Sequence, residues 1–261
     1  MGIKHYLLIF CCLFIINISF AQISPPGLGK AKTASWLAIG LKNNLDSLNK
    51  KSALTYLGFG TISDPEGNSN PFQKQAILVL NHERYNHFAK HWQYSYALSY
   101  RRQNSFESDA PYAKDGLEQE FRLYGRISYL LKQGSWKWTN TWRQEFRKFF
   151  DADFHKAEEN LQFRSRLKSQ LSYDLGFVGQ KLTLSAEALL ASSLMNDPNA
   201  YWKPLKFKES RFAFYYSRNI PKTPISMDLG YMNDLIITDH SPVDVHYIAL
   251  DLIWNLPFKK R

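Results

Sequence analysis

Residues 117–129 read LEQEFRLYGRISY, and their charged and apolar side chains fall on opposite parities: Glu118, Glu120, Arg122 and Arg126 on one, Leu117, Phe121, Leu123, Ile127 and Tyr129 on the other. Successive side chains of a β-strand point to opposite faces, so this stretch is a strand with one apolar face and one face carrying both signs of charge. In a helix the same groups would be scattered around the circumference. Any fold of this chain must therefore supply two different environments for the two faces of one sheet.

The alternation recurs along the chain. Trp92, Tyr94, Tyr96, Leu98 and Tyr100 oppose Gln93, Ser95, Ser99 and Arg101, while Trp136, Trp138, Trp142 and Phe146 oppose Lys137, Thr139, Thr141, Arg143, Glu145 and Arg147. Leu161, Phe163, Leu167, Leu171, Tyr173 and Leu175 oppose Gln162, Arg164, Arg166, Lys168, Gln170 and Asp174, with Ser165 and Ser169 diluting the apolar face. Phe212, Phe214 and Tyr216 oppose Arg211, Tyr215 and Ser217, and Ile248, Leu250, Leu252, Trp254, Leu256 and Phe258 oppose Tyr247, Asp251 and Asn255. The connections alternate too. Short ones fall at 43–51, 87–91, 132–135, 176–180 and 220–224, and longer polar ones at 63–74, 104–116, 151–159, 193–206 and 236–242. Outer-membrane barrels pair short periplasmic turns with long external loops. The expected fold is all-β, an antiparallel transmembrane β-barrel over residues 34–258. About eleven strands are recognisable, and an even count is the rule for bacterial barrels. Twelve is therefore expected, with ten as the near alternative. If the 43–51 turn is periplasmic, residues 22–33 must first climb to the other side, either as a poor strand or as a plug in the lumen. Pro25-Pro26-Gly27 weighs against a regular strand there.

The two cysteines, Cys11 and Cys12, lie in the apolar run Tyr6 to Phe20, which follows Lys4 and precedes Ser19-Phe20-Ala21. A charged start, a short apolar core and small residues at the end describe a secretory signal peptide over 1–21, cleaved after Ala21. Ile9 and Phe10 before Cys11 do not suit a lipoprotein signal, and the run is short for a transmembrane helix, which needs roughly 17 residues or more. Cleavage would remove both cysteines, and with them disulfides, thiolate nucleophiles and cysteine metal sites. The net charge of +10 suits contact with anionic headgroups or acidic solutes. Nucleic acid is a poor partner for an exported chain with no recognition motif.

A soluble β-sandwich or lipocalin-like barrel would also explain simple alternation. Three features favour lipid. Aromatic residues gather at strand ends (Trp92, Trp136, Trp138, Phe149, Phe150, Tyr201, Trp202, Trp254, Phe258), as in interfacial girdles. The strands are longer than the usual 5 or 6 residues of a sandwich. The last strand closes on Phe258, just before the basic tail 259–261, and is similar to the C-terminal signal read by the outer-membrane insertion machinery. The segments SWLAIGLKNNLDSLNKK, SYRRQ, LEQEFRLYGR, TWRQEFRKF and LQFRSRLKSQLSY, in that order, resemble the bacterial outer-membrane barrels filed as domain of unknown function 2490. That resemblance implies a fold and a location, not an activity.

The strongest candidate site is the polar ladder of Glu118, Glu120, Arg122 and Arg126, then Arg143, Glu145 and Arg147, then Arg164, Arg166 and Lys168, which adjacent strands would bring into one patch of lumen. Such a patch either fills a narrow barrel with ion pairs or forms a cationic constriction that selects anions. HERYNH (His82 to His87) lacks the helical zinc spacing, and a strand sends His82 and His87 to opposite faces, so no metal or other cofactor is expected. Asp239-His240-Ser241 has the residue types of a hydrolytic triad without the spacing that would show its geometry. The expected function is a non-enzymatic outer-membrane barrel, acting as a narrow pore or as a scaffold for other envelope proteins, with outer-membrane lipids including lipopolysaccharide as its surroundings. The alternatives are a lipid-modifying or hydrolytic barrel enzyme, or a soluble exported barrel holding an apolar ligand.

Overall fold

The computed structural model describes residues 23–256 apart from 24, 30, 178, 197–198 and 238–241. The signal-peptide segment 1–21, the Asp239-His240-Ser241 triplet, Phe258 and the tail 259–261 lie outside the described residues. Within them the chain forms strands β1 (Thr33–Asn44), β2 (Lys51–Ile62), β3 (Lys74–Ala89), β4 (Trp92–Phe106), β5 (Lys114–Gln133), β6 (Trp136–Phe150), β7 (Lys156–Asp174), β8 (Lys181–Met195), β9 (Tyr201–Trp202), β10 (Lys206–Asn219), β11 (Ile225–Ile236) and β12 (Val243–Asn255). The sheet closes on itself because β8 pairs with β10 and β12 with β1.

The strand number differs from an even wall in an instructive way. Twelve strands form, but β9 is a two-residue piece joined only to the end of β8. Eleven strands make the wall. With an odd number, the first and last must run the same way, and β1 and β12 pair in parallel from Thr33↔His246 to Lys42↔Asn255. All other wall pairings are antiparallel. The wall strands are long, reaching 20 residues in β5 and 19 in β7. The connections alternate between the two ends of the barrel, as the strand order requires, and most of those at the long-loop end are longer than those opposite, β6–β7 being reduced to residues 151–155 because β7 begins at Lys156.

The missing traverse runs inside the barrel. Ile23, Leu28 and Ala31 are buried. The Leu28 amide donates to the Tyr247 hydroxyl at 3.0 Å, and Arg211 Nη1 donates to the Pro25 carbonyl at 3.0 Å. Near the long-loop end, Lys32 Nζ donates to the carbonyls of Glu66 and Gly67. Prolines suit this path because a segment that joins no ladder loses nothing by lacking an amide proton. Around it, β1 to β3 and β10 to β12 turn inward a core that includes Trp36, Ile77, Tyr215, Met232, Val245 and Tyr247. The opposite sector, β4 to β8, turns charge inward.

Two glycines make room for the apolar sector. A Cβ on Gly58 would lie 2.1 Å from Trp36 Cη2, and one on Gly230 would lie 2.2 Å from Tyr215 Cδ1, so each ring lies flat across the neighbouring strand where a side chain is missing. The Trp36 indole thereby reaches Asp251, donating at 3.1 Å to its Oδ1. Gly58→Val displaces that ring and is expected to destabilise the barrel by about 1–3 kcal/mol, the usual cost of overpacking. Gly125→Ala, whose new methyl would have its nearest neighbour at 3.7 Å, is expected to change stability by less than about 0.5 kcal/mol. Denaturant unfolding followed by tryptophan fluorescence separates the two.

Candidate functional site

Inward parity on β4 to β8 places carboxylates and guanidiniums on one concave wall, and the register mixes opposed and like pairs: Arg101 stands opposite Glu120, Glu145 opposite Arg164 and Lys168 opposite Glu187. Arg122 stands opposite Arg147, and Arg126, Arg143 and Arg166 occupy successive paired positions across β5, β6 and β7. Like charges in directly opposed positions destabilise a sheet. The arginines set opposite one another turn to carboxylates two residues along their own strand or diagonally across to the next. Glu120 takes Arg122 Nε at 2.7 Å, Arg147 Nη2 at 2.5 Å and Arg101 Nε at 3.3 Å. Glu145 takes Arg166 Nε at 2.7 Å, Arg143 Nε at 2.8 Å and Arg122 Nε at 3.6 Å. The Arg143 guanidinium also sits 3.7 Å from the centre of the Tyr124 ring, a cation–π contact.

The ladder continues beyond the sequence-derived set. Arg166 Nη1 meets Glu187 at 2.7 Å; Arg164 and Arg211 meet Glu209 at 3.1 and 2.7 Å; Arg211 Nε reaches Asp234 at 3.3 Å. A separate branch on β3 holds Arg126 to Glu83 at 3.2 Å, and Glu83 also accepts from Ser95 at 2.6 Å and Tyr124 at 2.9 Å. Lys168 faces the same lumen and lies in the field of Glu187. Glu118 stands at the edge of the ladder, its side chain 41% exposed and 3.7 Å from Arg101 Nη2. All the residues read from the sequence thus face one lumen, joined to it by Arg101, Glu187, Glu209, Arg211, Asp234 and Glu83. Arg211 was visible on a polar parity. Glu187 was not, because it is a lone charge in the run LSAEALLASSL, and Glu209 sits at a bulge between Phe207 and Glu209 that breaks the alternation.

The outward face is the complement. Trp138, Phe163 and Leu123 are exposed, whereas Arg122 and Arg164 are each 8% exposed. The polar groups on that face partner one another: Trp138 Nε1 donates to Ser169 at 2.8 Å and Trp142 Nε1 to Ser165 at 3.1 Å. This accounts for the two serines in an otherwise apolar row. Trp92 with Tyr129, Trp136 with Tyr173 and Phe88 with Tyr94 cluster near the short turns, and Phe121, Phe150 and Phe154 near the long loops. Phe149 does not belong to these outer clusters. It is buried under the Arg147 guanidinium, because it shares the inward parity of Arg143, Glu145 and Arg147. His82 and His87 diverge: His82 lies outside, bonded to Thr55, and His87 inside, bonded to Gln93.

Below the ladder lies a cavity of about 440 Å³. Arg122, Arg143, Arg166 and Arg211, with Pro25 and Pro26 of the N-terminal segment, line its inner end, and Asn49, Lys50, Ala89 and Lys90 of two short turns line its mouth. The lumen is therefore a cup that opens at the short-turn end and is roofed by ion pairs and the inner segment. Among known proteins, no family model and no curated protein matches the chain.

Removing one member of a buried ion pair leaves an uncompensated charge and costs about 3–5 kcal/mol. Glu120→Gln, which strips Arg101, Arg122 and Arg147 of a shared carboxylate, is expected to cost that much. Glu118→Gln, at a half-exposed 3.7 Å contact, is expected to cost less than about 1 kcal/mol. The midpoint of urea unfolding for the two variants checks the difference.

Proposed function

We propose that this chain is an integral outer-membrane β-barrel of non-enzymatic type, closed to solute flow, that serves as a scaffold or accessory subunit among envelope proteins. The observation that carries the reading is the sorting of faces: apolar and aromatic side chains cover the outside of a closed sheet, and the guanidiniums and carboxylates are enclosed. Monomeric soluble proteins seldom expose contiguous apolar patches beyond roughly 300–600 Å². A bilayer is the medium that takes up a continuous oily belt, and a closed barrel leaves no backbone edge unpaired within it.

Two further features support it. Indole and hydroxyl groups on the outer face satisfy each other, as a lipid-facing surface requires where water is absent. Aromatic clusters at both ends of the wall suit the two headgroup regions. On this reading the long loops face lipopolysaccharide, the short turns face the periplasm, and an export signal in residues 1–21 delivers the chain to the insertion machinery. Among the two roles expected from the sequence, the ion-pair roof and the inner segment favour the scaffold over the pore.

The seven tryptophans make the placement measurable. Trp36 is 2% exposed, whereas Trp142 is 49% and Trp254 48%. In vesicles whose acyl chains carry bromine, the outward tryptophans are expected to be quenched and Trp36 spared; unquenched emission from the whole protein sinks the membrane reading. In planar bilayers the full chain is expected to give no steady conductance, and a variant lacking residues 23–31 is expected to give discrete steps. Steady conductance from the full chain would overturn the closed state alone.

A further inference from the structure

The enclosure of charge has an exception on β3. Arg84 shares the outward parity of His82 and Asn86, and it is exposed. Its Nε donates to His82 Nε2 at 3.4 Å, while His82 Nδ1 lies 2.8 Å from Thr55 Oγ1. An imidazole nitrogen that accepts this bond is unprotonated, so His82 fixes the guanidinium without offsetting its charge. Among the described residues Arg84 forms no ion pair. The register builds a patch around it. Lys51, Ala53 and Thr55 of β2 stand opposite Asn86, Arg84 and His82, and Tyr94, Tyr96 and Leu98 of β4 stand opposite the same three. Lys51 is exposed, and Ala53 brings only a methyl group to the position beside Arg84.

We propose that Arg84 and Lys51 hold the phosphodiester of an anionic phospholipid in the leaflet that meets the short turns. Ionisable side chains that face lipid are rare and mark functional sites. Long basic side chains reach the headgroup level from a backbone position deeper in the wall. The neighbours of Arg84 set that level. One row nearer the short turns, Asn86 Nδ2 donates to the Tyr94 hydroxyl at 2.7 Å, and the Tyr94 ring packs on Phe88 in the aromatic cluster of that end. Deeper in the wall, beyond His82, Leu57 and Leu80 stand opposite each other and are exposed, a surface for acyl chains. Headgroup and tail contacts thus come in the order a phospholipid presents them. The guanidinium fork matches two phosphate oxygens, and the ammonium of Lys51 adds a point charge beside it. Two cations favour an anionic lipid over a zwitterionic one, whose own ammonium opposes the second.

This inference rests on the membrane reading of the proposed function, and the two fail separately: outward tryptophans quenched in brominated vesicles, with no lipid preference at Arg84, leave the membrane reading standing and sink this one. The test is native mass spectrometry of the detergent-solubilised full chain, titrated with phosphatidylglycerol or with phosphatidylcholine of the same acyl chains. One phosphatidylglycerol is expected to bind at least about fivefold more tightly than phosphatidylcholine. Arg84→Gln is expected to lower that affinity about fivefold, the usual weight of one cation at an anionic membrane surface, and Lys51→Gln to lower it in the same sense. Both side chains are exposed, so neither change empties a packed site. Arg218→Gln removes another exposed cation, at the short-turn end of β10, and is expected to leave the affinity unchanged. Equal affinity for the two lipids, an unchanged affinity in Arg84→Gln, or an equal loss in Arg218→Gln overturns the proposal.

Discussion

The structure depends on how carboxylates are shared inside the barrel. Glu120 and Glu145 each serve three arginines, and each is almost fully enclosed. Desolvating an isolated guanidinium would cost several kilocalories, so an inner wall rich in arginine persists only where each cation finds a partner with good geometry. The register makes that demanding, because it places arginine opposite arginine in consecutive strands. Contacts along a strand and diagonally between strands relieve the conflict, and the diagonal ones hold only while the strands keep their tilt and stagger relative to one another. The ion pairs and the shape of the barrel therefore constrain each other: the sheet sets the diagonals, and the diagonals resist a slip in register that would send every charge to the apolar face.

The odd wall follows from the same filling problem. Eleven long strands enclose more volume than the charged sector fills, and the N-terminal segment occupies part of the rest. It rises between the apolar sector and the ladder, gives a carbonyl to Arg211, and re-enters the wall as β1 from the long-loop end. The chain before β1 lies within the lumen and adds no strand to the wall. Parallel pairing of β1 with β12 is then a consequence of where the first traverse runs. Its ten residue pairs keep the seam closed, so no open edge is left to pair with another chain.

Much of this was legible in the sequence because period-2 alternation is a local property. The parity of Glu118 to Arg126, the turn positions and the inward set on β5 to β7 need only a strand and a count by twos. Features set by several strands together were not legible. That Arg143 stands opposite both Arg126 and Arg166 depends on hairpin lengths on both sides. Phe149 misleads only if it is grouped by position at a strand end, since its parity with Glu145 and Arg147 already turns it inward. Glu187 is the lone charge in its segment, and only the closure of β8 against β10 brings it near Arg211 and brings Glu209 to Arg164. The N-terminal segment carries no periodicity, and its prolines said only what it could not be.

The two ends of the lumen differ in composition, and that difference shows which part of the interior stabilises the barrel. Toward the long loops, charge is neutralised internally: arginine meets glutamate at contact distance, the inner segment covers the remainder, and little field is left to act on a solute. Toward the short turns, lysines dominate the lining and the nearest carboxylates are committed to arginines above. The ladder above gives the cavity at that end rigid walls and a closed roof, so the same ion pairs that hold the strands in register also set the depth of the lumen.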